Sequence, residues 1–194
     1  MFVTYSGVVV DPANVRIDQI NLIDIAHHLT NINRFGGALE FDHHYSVAEH
    51  SLLLTEYVIF ELGNPNWFEI AKYALMHDAS EYILGDINSG LKAYLHDYKK
   101  LESKLSFTIQ EKYNIRVIYE DVVKSLDKRI LLNEVRALRE HHYQLFRTEG
   151  LLPLEIDSLA INDDDYGIYQ PGTVRKQVVY DKFLEMCKYL KIED

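Results

Sequence analysis

Along most of this 194-residue chain, apolar residues recur three and four positions apart, the spacing of one buried helix face. DQINLIDIAHHLTNI (18–32) carries Ile20, Ile23, Ala26 and Leu29 on one face, with Asp18 as the expected N-cap. Ser46-Val-Ala-Glu49 has the capping-box pattern ahead of SLLLTEYVIF, which predicts a helix over 46–62 with Gly63 just past its end. Further helices are expected from about 66 to the early eighties, over 91–113, over 119–147 and over 173–190. Segment 91–113 has its apolar positions at Leu91, Leu95, Tyr98, Leu101, Leu105 and Ile109. The first ten residues alternate weakly and hold Val8-Val9-Val10, which predicts a short strand or hairpin ended by Pro12. Residues 33–45, with Gly36-Gly37, and residues 149–172 lack a period and are expected to be loops. The pattern gives an all-α bundle with a short N-terminal β element, and no linker divides it.

Three of these apolar faces are interrupted by groups that should not be buried. Trp67, Ile70, Ala71 and Ala74 form a stripe whose continuation is Asp78 and Glu81, with His77 beside them. His50 falls on the face of Val47, Leu54 and Val58, and Asp127 on that of Val123, Leu126, Ile130 and Ala137. Acids rarely enter a core unless paired or bound to metal. Taken singly, His50 reads as a satisfied core histidine and Asp127 as a partner of Lys124 or Lys128. Glu49 reads as a capping residue. His77-Asp78 on a buried face resists such a reading, and the coincidence of all four favours a site. Two nitrogens and two oxygens suit a divalent transition metal (zinc, cobalt, manganese, iron or nickel) with room for water, and suit calcium poorly. Magnesium is a further candidate for the phosphates of a substrate.

The net charge of −10 and pI near 5.3 argue against a long nucleic-acid groove, but not against a small anion held by a few local cations. No apolar run reaches the ~18 residues of a membrane span, and MFVTYSGVVVDP has no signal-peptide pattern. The lone Cys187 excludes an internal disulfide and fits a cytoplasmic setting. The other histidines read as ordinary: one of His27-His28 packing and one exposed, His43-His44 exposed on a loop, His141-His142 at a solvated helix end. Asp163-Asp164-Asp165 reads as a solvated acidic turn.

Arg34-Phe35, YSVAEHS (45–51), MHDASEYILGD (76–86), Leu91-Lys92 and SLDKRILLNEVRAL (125–138) resemble the HD-domain metal-dependent phosphohydrolases. They are most similar to the small YfbR-type 5′-deoxynucleotidases, and in size and layout to the phage dATP triphosphohydrolases called DatZ. The resemblance implies an HD helical bundle spanning 1–194 with its motif core at about 30–140. It makes His50, His77, Asp78 and Asp127 the metal ligands and Glu81 the catalytic acid/base. Asp86 stands near the sugar and scissile group, Arg34 and Lys92 at phosphate, and Phe35 where relatives have tryptophan. The implied reaction removes phosphate or triphosphate from the 5′ position of a deoxynucleotide, dATP among them, in a homo-oligomer. The alternatives are a phosphodiesterase on cyclic or short oligonucleotides and a non-catalytic nucleotide-binding module.

Overall fold

A two-stranded antiparallel hairpin begins the chain, β1 (Phe2–Val3) against β2 (Val9–Val10), with Phe2 opposite Val10. Gly7 takes φ +88° in the connecting turn, a conformation that favours glycine. The hairpin is pinned to the first helix by a buried acid. Asp24 accepts hydrogen bonds from the Ser6 backbone N–H (2.6 Å) and hydroxyl (2.7 Å), while Val10 is fully buried beneath. The computed structural model describes residues 1–38, 44–138 and 175–194.

Helix α1 spans Leu22–Asn31, capped by Asn21, whose side chain accepts from the Asp24 N–H at 2.8 Å. Asp18, the expected cap, instead lies in a preceding 3₁₀ turn (Ile17–Gln19), where Arg16 pairs with it. Helix α2 (Val47–Phe60) starts with the capping box as expected: Ser46 Oγ accepts from the Glu49 N–H, and Glu49 accepts from the Ser46 N–H. Every residue from Val47 to Thr55 is buried, so α2 has no solvent face in its first half. It touches α1, α3 (Trp67–Met76), α7 (Glu120–Leu138) and α8 (Lys176–Tyr189). Ile25, Leu29, Leu54, Ala71, Leu75 and Phe183 are fully buried around it. Truncating Leu54 to alanine would cost roughly 2–5 kcal/mol.

Two expected helices are each broken. The segment after residue 66 forms α3 and then a one-turn α4 (Glu81–Leu84), separated at His77–Ser80. There the chain tightens to i→i+3 bonds, Ala79 N–H to Met76 O and Glu81 N–H to Asp78 O. The segment 91–113 forms α5 (Ser89–Lys92), capped by Asn88, and α6 (His96–Lys112), so Leu91 is exposed rather than part of an apolar seam. α8 ends the chain close to α1, where the Asp194 carboxylate accepts the Leu22 N–H and the Tyr113 hydroxyl. The expectations for 139–172, including His141-His142 and Asp163-Asp164-Asp165, and those for His43, lie outside the described residues. Apart from the hairpin and one isolated bridge between Asn33 and Ser46, the described residues make an all-α fold. Among the described residues, no helix is long and apolar enough to cross a membrane.

Candidate metal centre

The capping box fixes the first turn of α2, and one turn in, His50 faces the interior, fully buried. Its Nδ1–H donates to Glu134 of α7 at 2.5 Å. At the broken end of α3, the His77 Nδ1–H donates to the Ala74 carbonyl at 2.7 Å. Both rings therefore spend their Nδ1 hydrogens on other groups, and their Nε2 atoms meet 3.3 Å apart. Asp78 Oδ2 lies 3.1 Å from His77 Nε2 and 3.8 Å from His50 Nε2. His50, His77 and Asp78 bring ligand atoms within 4.8 Å of one another. Asp127 joins through His50, its Oδ1 3.0 Å from Nε2. It does not pair with Lys124, which binds Glu120 instead.

The electrostatics draw positive charge to this spot. Burial and Arg34 oppose protonation of His50, yet Glu134 and Asp127 overcome them and push it up to about 10. Burial likewise opposes a charge on His77, and Asp78 and Asp127 raise it nonetheless. Burial alone would raise Asp78, but His77, His50 and Arg34 hold it far below the usual carboxylate range. Converging nitrogen and oxygen donors that prefer a cation between them are the donor set of a divalent metal.

Glu134 is a site residue that the sequence reading missed. It is fully buried and accepts hydrogen bonds from His50, from the Tyr45 hydroxyl (2.5 Å) and from Arg34 Nη2 (3.2 Å). The signal was present: Glu134 lies four residues after Ile130 and seven after Asp127, one more step along the same stripe. Arg34, in a 3₁₀ turn after α1, also reaches Asp78 Oδ2 at 3.6 Å, and its Nε is a buried donor without a partner. Phe35 is held at φ +57°, a strained conformation for a non-glycine residue. Its ring lies 6.4 Å from Tyr45 and 5.6 Å from the Arg34 guanidinium.

Glu81 begins α4, one short step beyond Asp78, and is 3% exposed. Burial, then Asp78 and Asp86, push its carboxyl up to about 9. Its Oε2 is buried without a partner. Gly85, at φ +76°, turns the chain toward Asp86, whose carboxyl is also raised, chiefly by burial. Lys92 reaches Glu81 Oε1 at 3.4 Å but sits closer to Glu102, at 2.7 Å. A cavity of about 490 Å³ opens beside the cluster, lined by His77, Asp78 and Asp127 together with Glu102, Phe107 and Gln110 of α6. Arg34, Phe35, Glu81, Asp86 and Lys92 are not among its lining residues.

Three further histidines are more engaged than expected. His27 and His28 are both half-buried; His27 stacks on Tyr5 with ring centres 3.7 Å apart, and His28 Nε2 accepts the Tyr5 N–H. His44, expected to be exposed, is half-buried and donates to the Thr30 carbonyl.

The family described as 5′-deoxynucleotidase YfbR-like matches residues 21–141, which hold every one of these site residues. The chain is 40% identical over 135 residues to the uncharacterised protein YfdR of Escherichia coli, covering 70% of each chain. It is 36% identical over 108 residues to an uncharacterised protein of Rhodobacter capsulatus, covering 55% of this chain and 54% of that one. A protein of Pectobacterium atrosepticum named 5′-deoxynucleotidase is 32% identical over 111 residues, covering 50% of this chain and 54% of the relative. The chain thus spans about half the length of these last two relatives. By the extent of the matched region, the protein belongs to the YfbR-like 5′-deoxynucleotidase family.

Proposed function

We propose that the protein is a metal-dependent phosphohydrolase that removes the 5′-phosphate of a deoxyribonucleotide and releases a deoxynucleoside. One observation carries the reading: two imidazole Nε2 atoms 3.3 Å apart, with both Nδ1 hydrogens already donated and Asp78 Oδ2 beside them. In neutral rings, two lone pairs facing one another are repulsive, and a cation between them reverses the sign. His50, His77, Asp78 and Asp127 would hold a divalent transition ion. Such an ion, when bound, supplies a water of lowered pKa and offsets charge on the phosphoryl oxygens.

The chain's own groups do the rest. Glu81, with its carboxyl pushed up to about 9, carries a proton at neutral pH and hands it to the leaving 5′-oxygen. Asp86 helps to keep that proton in place, since its charge raises Glu81. Arg34, braced by Glu134 and Asp78, offers its unpartnered Nε to a phosphoryl oxygen. Phe35 gives a flat apolar surface to sugar or base. Lys92 leaves Glu102 or Glu81 to meet phosphate.

The charge pattern favours a monophosphate over a triphosphate. Glu102, Glu120, Asp78 and Asp127 line the adjoining cavity, and its one lysine, Lys124, is bound to Glu120 at 2.5 Å. With Glu102 likewise matched by Lys92, and Asp78 and Asp127 facing the ion, the described lining offers a polyphosphate tail no unpaired lysine and suits a neutral nucleoside. The triphosphohydrolase reading, with dATP as substrate, is retained as the second one because a metal and Arg34 together can carry more than one phosphate. In the same reading residues 1–194 form one HD phosphohydrolase domain, acting in a reducing cytoplasm as a homo-oligomer. Exposed Phe107 and Val117, which line the cavity, and exposed Ile118 next in sequence support the last point.

Incubation of the protein with each candidate metal and a panel of dNMPs, dNTPs and cyclic nucleotides tests the proposal. The expected products are a deoxynucleoside and inorganic phosphate. Release of triphosphate would transfer the reading to the second substrate class, cleavage of a cyclic nucleotide to a phosphodiesterase, and no turnover at all would overturn it.

A further inference from the structure

We propose that Glu134 is a positioning residue that ties the metal site to phosphate capture by clamping His50 and Arg34 with one carboxylate. The inference rests on the phosphohydrolase reading for its meaning but not for its test. Three residues 84 or more positions from Glu134 meet at its side chain: His50 from α2, Arg34 from the turn after α1, and Tyr45 from the stretch before α2. Oε1 accepts the His50 Nδ1–H and the Tyr45 hydroxyl, both at 2.5 Å, and Oε2 accepts Arg34 Nη2 at 3.2 Å. All three partners can donate to it, and only an acceptor on both oxygens satisfies them together.

Two consequences follow from this wiring. Taking the Nδ1–H fixes the tautomer of His50, so that Nε2 presents a lone pair toward His77 and Asp78, and a carboxylate in this place raises the basicity of the ligating nitrogen. The same carboxylate holds the guanidinium plane of Arg34, which on its other side lies 3.6 Å from Asp78. A shift of Glu134 therefore moves a metal ligand and the phosphate-binding cation together. Glutamine cannot do the same: an amide NH₂ on the Arg34 side would meet a donor, and on the other side it would suit His50 only in the tautomer that puts the hydrogen on Nε2, where a metal would bind. Glu134 differs in this from Glu49, which closes the α2 cap by bonding the Ser46 N–H.

The test uses the full chain and reads binding as well as turnover. Zinc, manganese and cobalt affinities are measured by calorimetry for the wild type, Glu134→Gln, Glu134→Asp and Tyr45→Phe. Inorganic phosphate affinity is measured on each metal-loaded protein, and the far-downfield proton resonance of the His50 Nδ1–H is followed by NMR. Glu134→Gln is expected to weaken metal binding by about 10–100-fold, to weaken phosphate binding in parallel, and to lose the downfield resonance. Glu134→Asp keeps the charge but withdraws both oxygens by one methylene. It is expected to show the same paired loss, and it serves as the test if Glu134→Gln does not fold. Tyr45→Phe removes one donor without breaking the link, and is expected to stay within about threefold in both affinities. A folded Glu134→Gln or Glu134→Asp protein that binds metal and phosphate within threefold of the wild type overturns the assignment. So does loss of metal affinity with phosphate affinity untouched. These readouts stand whether or not any nucleotide is hydrolysed, so failure of the positioning role is distinguishable from failure of the phosphohydrolase reading.

Discussion

Among the described residues two pairs of imidazoles come together, each beside a buried or half-buried aspartate, and they behave oppositely. On α1, His27 and His28 sit near Asp24, but Asp24 is saturated by Ser6 and Asn21 donors, and aromatic rings cover both imidazoles. Burial and then the neighbouring His27 lower the pKa of His28, so it stays neutral. On α2 and just past α3, His50 and His77 face Asp78 and Asp127 directly through their Nε2 atoms, and with Glu134 behind it His50 is pushed up to about 10. The candidate metal site is thus marked by imidazole and carboxylate atoms that converge on one point rather than by histidines and acids close in sequence. The hairpin, by supplying Ser6 to Asp24, turns what could have been a second acidic cluster into a structural joint.

The sharpest way to break the contrast is to remove a ligand. Asp78→Asn and His77→Ala are each expected to abolish tight metal uptake, read by elemental analysis after dialysis. Turnover should fall by more than the roughly 100-fold seen when only an outer partner of a metal ligand is lost. Uptake unchanged in both variants would make the cluster a buried structural joint, as the hydrogen-bonded acid on α1 is. Next in size is Glu81→Gln, which keeps shape and hydrogen-bonding capacity but cannot cycle a proton. It is expected to retain metal and lose about 10²–10⁴-fold in turnover. In the proposed role Glu81 acts as the protonated acid; burial raises its carboxyl and a bound cation would draw it down, so metal-loaded wild-type turnover should decline as pH rises through the pKa of Glu81, at or below about 9, and that limb should vanish in the variant.

How much of this was legible beforehand follows from what periodicity encodes. His50, His77, Asp78, Asp127 and Glu81 were visible because each breaks an apolar stripe, and a stripe fixes which way a side chain faces. Glu134 breaks the same stripe as Asp127 and was passed over because, beside Asn133 and Arg136, it resembles a solvated face. The break of the helix at His77–Ser80 was not legible, since HDAS has no proline or glycine and the i→i+3 tightening arises from where the motif's partners stand. The division between α5 and α6 was equally hidden: Leu91 fits the helical period, but the chain turns at Ala93–Leu95 and leaves it exposed. Asp18 resembled a cap as closely as Asn21, but the 3₁₀ turn that hands the chain to α1 is set by tertiary contacts of the hairpin.

A smaller effect is expected at an acid far from the cluster in role. Glu56, on α2, has a buried Oε2 without a partner, and burial pushes its pKa up to about 7 against the opposing charge of Lys182. The folded protein then holds this proton more tightly than the unfolded chain, whose value is near 4.5. Stability from this group is therefore lost as pH rises from about 4.5 to about 7, and is constant outside that window. Glu56→Gln should stabilise the protein at pH 8 by roughly 1–3 kcal/mol and leave it unchanged near pH 4, as read by thermal denaturation. Equal effects at both pH values would show that Glu56 titrates normally and that an orphaned carboxylate oxygen is no guide to charge.

The smallest effect is expected from the α1 pair, and its smallness is what the comparison requires. His27→Phe preserves the stacked ring on Tyr5 and removes an Nδ1 that is buried without a partner. An unsatisfied buried polar atom costs about 1–3 kcal/mol, so the variant should be as stable as the wild type or more stable by up to about 1 kcal/mol, part of the gain being offset by lost solvation at this half-buried position. Metal uptake and turnover should both stay within twofold. A tenfold fall in metal affinity would mean that His27 communicates with the cluster through the Thr30–His44 contact at the far end of α1, and that the two imidazole pairs form one electrostatic unit. Unchanged binding with unchanged or raised stability leaves the aromatic pair as a packing device, and places the cation-seeking character of the described residues where imidazole Nε2 atoms and carboxylates converge.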